Sequence, residues 1–231
     1  MRAKLIESFE LAPEVRHFVF EAEGPHDSHF DFVPGQFVSF SARLAGKPIT
    51  RAYSIASAPA RGNRFELCLN RVSQGLFSNF LFEMKPGGEV EMQSPLGMFV
   101  MRQPPRESLF IATGTGVAPF RSMLQSHLAE SGPAITLLFG VRHQSHLMYG
   151  AEFEQLALRF PHFRYWPTLS RPGADWGGRT GRVQRHIDEA VGGRRDIDVY
   201  LCGLKAMVDD VRQRLKGAGF DRKQVLYEKY D

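Results

Sequence analysis

The sequence predicts an N-terminal antiparallel β-barrel followed by an α/β domain with a five-stranded parallel sheet. Two observations predict this fold class: short strands separated by turn residues fill the first half, and apolar strands alternating with helical stretches fill the second. The pattern changes at residues 102–108, a polar segment that contains a proline pair. A length of 231 residues suits two compact domains. We therefore place domains at residues 1–103 and 104–231.

The first domain is predicted to consist of strands with one short helix. Proline and glycine between the apolar segments favour turns, and strands at this spacing are typical of an antiparallel barrel or sandwich. The strands are predicted at residues 4–9, 15–21, 36–41, 50–56, 65–72 and 89–92, and the helix at 77–83.

The second domain alternates strands with helices. Such alternation predicts a parallel sheet with helices on both faces. The strands are predicted at residues 109–112, 135–139, 163–169, 199–202 and 225–229, and the helices at 117–129, 152–159, 183–190 and 206–216.

The composition is that of a soluble globular protein, with 43% hydrophobic and 23% charged residues. No apolar run approaches the roughly 18 residues that a membrane helix needs. Glu7 and Glu10 interrupt the apolar character of the N-terminus, where no secretory signal is recognisable. We therefore expect a cytoplasmic protein that does not bind membranes.

The basic excess lies in the second half. Residues 1–103 hold 11 basic and 11 acidic side chains, whereas residues 104–231 hold 18 and 14, and 14 of those 18 are arginines. Arginine binds phosphate or carboxylate through paired hydrogen bonds, so a phosphorylated ligand or an acidic protein partner is expected. A partner nucleic acid is not expected, because basic blocks interleaved with aromatic residues are missing from the sequence.

The two cysteines, Cys68 and Cys202, exclude a disulfide framework and a four-cysteine iron–sulfur cluster within this sequence. His143 and His146 lack the glutamate and the spacing of a helical zinc site. We interpret them as solvated loop histidines and expect no metal.

A glycine turn follows the first strand of the second domain. It consists of Thr113, Gly114, Thr115 and Gly116, after which helical periodicity begins. Glycines allow a tight turn with close backbone approach, and the N-terminus of a helix offers free N–H groups to a dinucleotide pyrophosphate. The alternative is a strand-to-helix turn whose glycine serves packing alone.

Three motifs resemble those of a known protein family, as do the shorter segments Pro34-Gly-Gln36 and Gly75-Leu-Phe-Ser78. They are Arg51-Ala-Tyr53-Ser54-Ile-Ala-Ser57, Ala112-Thr-Gly-Thr-Gly-Val-Ala-Pro119 and Val199-Tyr-Leu-Cys202-Gly203-Leu-Lys-Ala-Met207. On these residues the chain resembles the ferredoxin–NADP reductase superfamily, in which a flavin-binding barrel precedes a nicotinamide-dinucleotide domain. The resemblance spans nearly the whole chain.

The resemblance implies an FAD site on the first domain. Arg51 would pair with the pyrophosphate, Tyr53 would lie against the ring system or the ribityl chain, and Ser54 would lie near the ring nitrogen that receives hydride. Ser78 has two interpretations, as a helix N-cap or as part of a pyrophosphate-binding helix start. The remaining FAD positions implied are Ala52, Cys68, Leu69, Asn70, Gly75, Leu76, Phe77 and Tyr230.

The resemblance also implies that NADP(H) binds the second domain. Arginines in loops after the first crossover resemble ligands of the NADP 2'-phosphate, and on them we expect NADPH to be favoured over NADH. These arginines are Arg142, Arg171 and Arg182, with Arg179 as a further candidate, and Ser170 next to Arg171 belongs to the same expected site. The turn Thr113–Gly116 and the positions Cys202, Gly203 and Met207 complete the expected nucleotide site.

The chain ends in Tyr227-Glu228-Lys229-Tyr230-Asp231. Plant-type members of the family end in Glu-x-Tyr, and Glu228 and Tyr230 match that spacing, with Asp231 as an extra residue. The resemblance implies that Tyr230 covers the flavin and that Glu228 lies near it, while Cys202 lies beside the reactive carbon of nicotinamide. The alternative is a tail that only completes the sheet.

Together these interpretations predict a monomeric FAD-dependent enzyme that exchanges electrons with a ferredoxin, a flavodoxin or another external carrier. Ser54 and Glu228 are expected to relay a proton. The alternatives are the reductase component of an oxygenase system, a free-flavin reductase, and a non-enzymatic flavin-binding electron-transfer subunit.

Overall fold

The computed structural model describes residues 1–24 and 29–230, and contacts within this part divide the chain into two compact units. The barrel unit comprises Met1–Val100 and Ala118–Ser126, and the parallel-sheet unit comprises Met101–Val117 and His127–Asp231. The domain boundary between residues 103 and 104 stays a prediction. Asp231 itself lies outside the described residues.

The barrel unit confirms the predicted antiparallel architecture. Its sheet has six strands among the described residues, in the order β4-β3-β6-β1-β2-β5. A bridge between Ile55 and Leu67 joins the two edges and closes the sheet into a barrel. The strands are β1 (Arg2–Ala12), β2 (Val15–Ala22), β3 (Phe37–Leu44), β4 (Lys47–Ser54), β5 (Arg64–Asn70) and β6 (Glu89–Leu96), with helix α1 (Leu76–Glu83) between β5 and β6.

Phenylalanines fill the barrel because alternate residues of a strand face the same side. Phe18 and Phe20 of β2 are fully buried, and the Phe20 ring lies 5.0 Å from Phe40 and 5.8 Å from Phe65, centroid to centroid. Edge-on and stacked aromatic pairs at these distances add to the stability that burial provides. The barrel therefore has a hydrophobic core of its own.

Helix α2 (Ala118–His127) packs on the barrel unit. The Arg121 guanidinium donates to the Glu66 carboxylate over 2.6 Å and to the Ala56 carbonyl over 3.0 Å. The Gln125 amide oxygen accepts from the Ala58 N–H at 2.9 Å. These contacts hold the helix against the segment that leaves β4.

The parallel-sheet unit confirms the predicted α/β architecture. Across the described residues its sheet has six strands in the order β10-β9-β8-β7-β11-β12, all paired in parallel. The strands are β7 (Ser108–Thr113), β8 (Ile135–Val141), β9 (Phe163–Leu169), β10 (Arg179–Thr180), β11 (Asp198–Leu204) and β12 (Val225–Tyr230). The helices are α3 (Gly150–Arg159), α4 (Ile187–Val191) and α5 (Lys205–Gly217).

Two details of this unit differ from the sequence-based expectation. The described part of the sheet has six strands instead of five, because Arg179 and Thr180 form the short strand β10 beside Thr168 and Leu169 of β9. The predicted helix over residues 183–190 is divided into a 3-10 turn, Val183–His186, and helix α4. The first difference places a loop with two candidate arginines at the sheet edge.

The strand order reverses beside β7, whose neighbours are β8 on one side and β11 on the other. In open α/β sheets, ligands bind at such a switch point, beyond the carboxyl ends of the strands. The glycine turn after β7 and the Cys202–Gly203 pair of β11 both lie there.

Candidate functional site

In the barrel unit, the end of β4 lies beside helix α1. Tyr53 is half-buried, and its ring lies 6.2 Å from that of Phe77 on α1 and 6.0 Å from that of Phe40. Burial raises the pKa of the Tyr53 phenol to about 12, although the charge of Arg51 acts in the opposite direction. The structure thus brings together two of the segments that carry the predicted FAD positions.

Arg51 and Ser54 occupy different environments on the same strand. The Arg51 side chain is exposed and donates to the Thr50 carbonyl at 2.8 Å, which leaves most of its N–H donors directed to solvent. Ser54 is buried and pairs with Phe37 of β3, and Ala52 is exposed between them.

Helix α1 begins without a side-chain cap in the described structure, and its N-cap residue is Gly75. A Cβ atom on Gly75 would lie 2.7 Å from the Cβ of Val72 and 2.8 Å from the Ser78 Oγ. Only glycine therefore fits this tight helix start. Leu76 is exposed and Phe77 is buried in the first turn.

The N-cap interpretation of Ser78 is wrong, because Ser78 lies inside the helix. Its hydroxyl accepts from the Val72 N–H at 3.0 Å and lies 3.2 Å from the Gly75 carbonyl. Ser78 thus fixes the preceding turn, and the N–H groups at the helix start stay free of a capping side chain.

The last residues of β5 lie near the continuation of β4. Cys68 and Leu69 are buried and pair with His17 and Arg16, whereas Asn70 is exposed. The Ala56 N–H donates to the Glu66 carbonyl at 2.7 Å. The predicted positions from β4, β5 and α1 therefore all belong to one end of the barrel unit. An uncapped helix start, an exposed arginine and a half-buried aromatic ring suit the pyrophosphate and ring system of FAD.

In the parallel-sheet unit, the glycine turn packs directly on β11. A Cβ atom on Gly116 would lie 2.4 Å from the Cys202 carbonyl oxygen and 2.8 Å from the Gly203 Cα. Gly203 has φ +145°, and a Cβ atom there would lie 2.2 Å from the Thr113 Oγ1. The two glycines therefore allow β7 and β11 to meet closely at the switch point.

The Thr113 Oγ1 is buried and has no hydrogen-bond partner among the described residues. A buried hydroxyl without a partner costs free energy, so such a group at a switch point suits a site completed by a polar ligand. Gly114 and Thr115 lie in the 3-10 turn that follows, Gly114–Val117, and are partly exposed. This arrangement fits a pyridine nucleotide.

Cys202, Glu228 and Tyr230 are brought together by the pairing of β11 and β12. Cys202 is opposite Glu228, and Leu204 is opposite Tyr230. Burial raises the pKa of the Cys202 thiol well above its ordinary value, the charge of Glu228 raises it further, and a hydrogen bond with the Tyr230 side chain acts against both. The thiol is therefore neutral at physiological pH. Met207 is buried at the start of α5, near Gly203.

Three of the predicted arginines lie at the carboxyl edge of the sheet. Arg142 follows β8 and accepts through its carbonyl from the Arg171 N–H at 2.8 Å, while the Ser170 N–H donates to the Val141 carbonyl. Arg182 follows Gly181, whose N–H donates to the Leu169 carbonyl at 2.7 Å. The side chains of Arg142, Arg171 and Arg182 are exposed and have no acidic partner among the residues described.

Arg179 has partners of its own. Its guanidinium donates to the Glu189 carboxylate at 2.8 Å and lies 3.8 Å from the centre of the Trp166 ring. The hydrogen bond with Arg179 holds the pKa of Glu189 below its ordinary value. Sequence reasoning missed Trp166, Glu189 and His186 as neighbours of this loop, because they lie on other elements.

His143 and His146 lie at a 3-10 turn after β8, with ring centroids 5.9 Å apart. Over residues 1–24 and 29–230, histidine, cysteine and carboxylate side chains form no group of three or more that could hold a metal ion. In the same part of the chain, no helix is both long and apolar enough to cross a membrane.

Comparison with known proteins matches two family models to successive parts of the chain. The oxidoreductase FAD-binding domain matches residues 2–101, and the oxidoreductase NAD-binding domain matches residues 110–213. The chain is 41% identical to ferredoxin–NADP reductase B of Sorangium cellulosum over 99% of this chain and 97% of that protein. The chain belongs to the ferredoxin reductase-like superfamily. It is an oxidoreductase of this superfamily that binds FAD and a pyridine nucleotide.

Members of this superfamily that serve oxygenases are also similar to the chain. The anthranilate 1,2-dioxygenase electron transfer component of Acinetobacter baylyi is 29% identical over 99% of this chain, which spans 66% of that protein. The crystal structure of the Amycolatopsis cytochrome P450 reductase GcoB has a TM-score of 0.89 and 27% identity, covering 99% of this chain and 69% of that one.

Proposed function

We propose that this reductase takes hydride from NADPH and passes single electrons to a ferredoxin or flavodoxin. The NADPH preference rests on three exposed arginines, Arg142, Arg171 and Arg182, around the ends of β8 and β9, for which the described part of the chain offers no acidic partner. Unpaired guanidinium groups bind a phosphate through charged hydrogen bonds. The similarity to a ferredoxin–NADP reductase over nearly both full lengths supports this proposal.

In this proposal the barrel unit holds FAD. Arg51 and the N–H groups at the start of α1 bind the pyrophosphate, and Tyr53 packs against the flavin. Gly75, Leu76, Phe77 and Ser78 form the helix start, and Cys68, Leu69 and Asn70 contribute from β5. When bound, FAD supplies the two-electron acceptor for hydride and the one-electron donor for the carrier.

The parallel-sheet unit binds the nucleotide through the turn Thr113–Gly116 and through Gly203, where the Thr113 hydroxyl gains a polar partner. Cys202 stays neutral and packs beside the nicotinamide without covalent chemistry. Ser54 and Glu228 would relay the proton of the flavin ring nitrogen, which is released when the electrons leave one at a time. Tyr230 covers the flavin, and replacing it in Tyr230→Ser is expected to strengthen nicotinamide binding.

A second candidate is the reductase of an oxygenase system, which the similarity to the anthranilate dioxygenase component favours. The sequence holds two cysteines, so a four-cysteine iron–sulfur acceptor lies outside these 231 residues in either case. The electron acceptor that the reduced protein prefers therefore decides between the two candidate functions.

The test is to reduce the FAD-loaded protein with NADPH without oxygen and to mix it with an oxidised plant-type ferredoxin, a flavodoxin, the iron–sulfur protein of an oxygenase, or free FMN. Faster reoxidation by ferredoxin or flavodoxin than by the other acceptors is expected. Preference for the oxygenase protein would favour the second candidate, and reaction with FMN alone would indicate a free-flavin reductase. A colourless protein that FAD does not reconstitute would refute all of these.

A further inference from the structure

The two arginines of the loop after β9 differ in what surrounds them. The Arg179 guanidinium lies over the Trp166 ring and donates a hydrogen bond to the Glu189 carboxylate. The exposed side chain of Arg182, in contrast, has no partner among the described residues. Both were candidates for the 2'-phosphate of NADP. The structure gives them different chemical environments, and the difference suggests different roles.

Arg179 is held on two sides. Its guanidinium lies 3.8 Å from the centre of the Trp166 ring, a distance at which a cation is attracted to the ring face. The Glu189 carboxylate accepts from it at 2.8 Å, and the Arg179 side chain is 31% exposed against 56% for Glu189. Arg179 would therefore meet a phosphate with its charge already paired to a carboxylate and with its Nε buried inside the protein.

The backbone around Arg179 is fixed by side chains from three other positions. The Trp176 indole N–H donates to the Arg179 carbonyl at 2.8 Å, and the Thr168 hydroxyl donates to the Gly181 carbonyl at 2.9 Å. The His186 Nε2 lies 3.1 Å from the Thr180 carbonyl, to which it donates. Three successive carbonyl groups, at residues 179, 180 and 181, are therefore bonded, and Arg182 comes directly after them.

We propose that Arg179 is a positioning residue and not a phosphate ligand. Trp166 and Glu189 hold Arg179, which fixes β10 against β9 and so orients Arg182 for the 2'-phosphate. This inference rests on the NADPH preference proposed above. In this arrangement the preference of the loop for NADPH depends on both Arg179 and Arg182, of which only Arg182 touches the nucleotide.

Glu189→Ala separates the two roles by the sign of its effect. If Arg179 bound the phosphate itself, removing Glu189 would free its guanidinium and remove a competing negative charge, so binding would become tighter. If Arg179 positions Arg182, the same change releases the loop and weakens binding. We expect the affinity for 2',5'-ADP to fall about fivefold, a part of what a charged hydrogen bond contributes.

The measurement is isothermal titration calorimetry of the FAD-loaded protein with 2',5'-ADP and, in parallel, with 5'-AMP. Glu189→Ala is expected to weaken only the binding of 2',5'-ADP, and Glu189→Gln, which keeps an acceptor for Arg179, should restore most of it. Arg179→Lys keeps the charge but loses the planar fork and is expected to resemble Glu189→Ala. In steady-state turnover, the KM for NADPH should rise with kcat nearly unchanged.

Glu130→Ala is the matched control, because Glu130 is also paired with an arginine, Arg159, on the surface of the same unit. It should leave both affinities unchanged. Unchanged or tighter binding of 2',5'-ADP by Glu189→Ala, in a protein that keeps the wild-type melting temperature and flavin spectrum, would overturn the positioning role whatever the effect of Arg179→Lys. Equal affinity of the wild type for 2',5'-ADP and 5'-AMP would instead refute the NADPH preference itself.

Discussion

Replacing Gly116 by alanine tests the close contact between the glycine turn and β11. The new Cβ atom would lie 2.4 Å from the Cys202 carbonyl oxygen and 2.6 Å from its carbonyl carbon, whereas ordinary contacts begin at 3.4 Å. The turn and the strand must therefore separate by about 1 Å, and both obstacles are backbone atoms of a central strand. Overpacking of this kind costs about 1–3 kcal/mol.

Two measurements follow from this displacement. A loss of about 2 kcal/mol is expected to lower the melting temperature by roughly 4–8 °C for a chain of this size. Because the same displacement moves the N–H groups of the nucleotide turn, kcat/KM for NADPH should fall by up to about 100-fold, while the flavin spectrum stays that of the wild type. Thermal unfolding followed by circular dichroism and anaerobic flavin reduction provide the two readouts.

The control is Gly217→Ala, at the end of helix α5. Apart from its own helix and its chain neighbours, a Cβ atom on Gly217 would meet no described atom within 4 Å, and its φ is not in the left-handed region, so this change should be harmless. The reasoning is wrong if Gly116→Ala keeps the stability and NADPH kinetics of Gly217→Ala. It is also wrong if Gly116→Ala loses stability without losing nucleotide use.

Three further predictions concern side chains. Arg171→Ala is expected to lower the NADPH-to-NADH ratio of kcat/KM by roughly 10- to 100-fold, which is the contribution of a charged hydrogen bond. Replacing the exposed Arg106 by alanine should leave this ratio unchanged. An unchanged ratio in Arg171→Ala would refute the assignment of Arg171 to the 2'-phosphate. Because burial raises its thiol pKa, Cys202 should resist iodoacetamide in the folded protein even at pH 9.0 and react only after unfolding; mass spectrometry that finds it labelled in the native state would contradict this. Burial also raises the pKa of the Tyr53 phenol from 10.0 to about 12, so folding favours the neutral phenol. Relative to Tyr53→Phe, the free energy of unfolding of the FAD-free protein should therefore fall by about 2 kcal/mol from pH 10 to pH 12. An equal change of unfolding free energy in the wild type and in Tyr53→Phe over this range would disprove it.

Much of the fold follows from local patterns in the sequence. Alternation in β2 places Phe18 and Phe20 in the barrel core, and β8, Ile135–Val141, is apolar except for Thr136, as is typical of a strand covered on both faces. Such patterns depend only on neighbouring residues. The antiparallel barrel and the parallel sheet could therefore be predicted before any long-range contact was known.

The parts that sequence reasoning missed depend on contacts between distant residues. Strand β10 has two residues, too few for a pattern, and exists because Arg179 and Thr180 pair with β9. Serine is a common N-cap, but the turn at Val72 uses the Ser78 hydroxyl and leaves the cap position to Gly75.

The candidate site shows the same division. The glycine turn could be recognised from its residues, but the reason that Gly116 must lack a side chain is the backbone of Cys202, far along the chain. Likewise, Arg179 and Arg182 are equivalent in the sequence. They become distinguishable only when Trp166 and Glu189 are placed beside one of them.

Anaerobic stopped-flow reduction of the FAD-loaded protein tests the central proposal most directly. The bleaching of flavin absorbance is followed after mixing with NADPH and, separately, with NADH over a range of concentrations. If Arg142, Arg171 and Arg182, which have no acidic partner among the described residues, bind the 2'-phosphate, NADPH should reduce the flavin with a second-order rate constant at least about tenfold larger than that of NADH. Equal rate constants, or a larger one for NADH, would contradict the proposal.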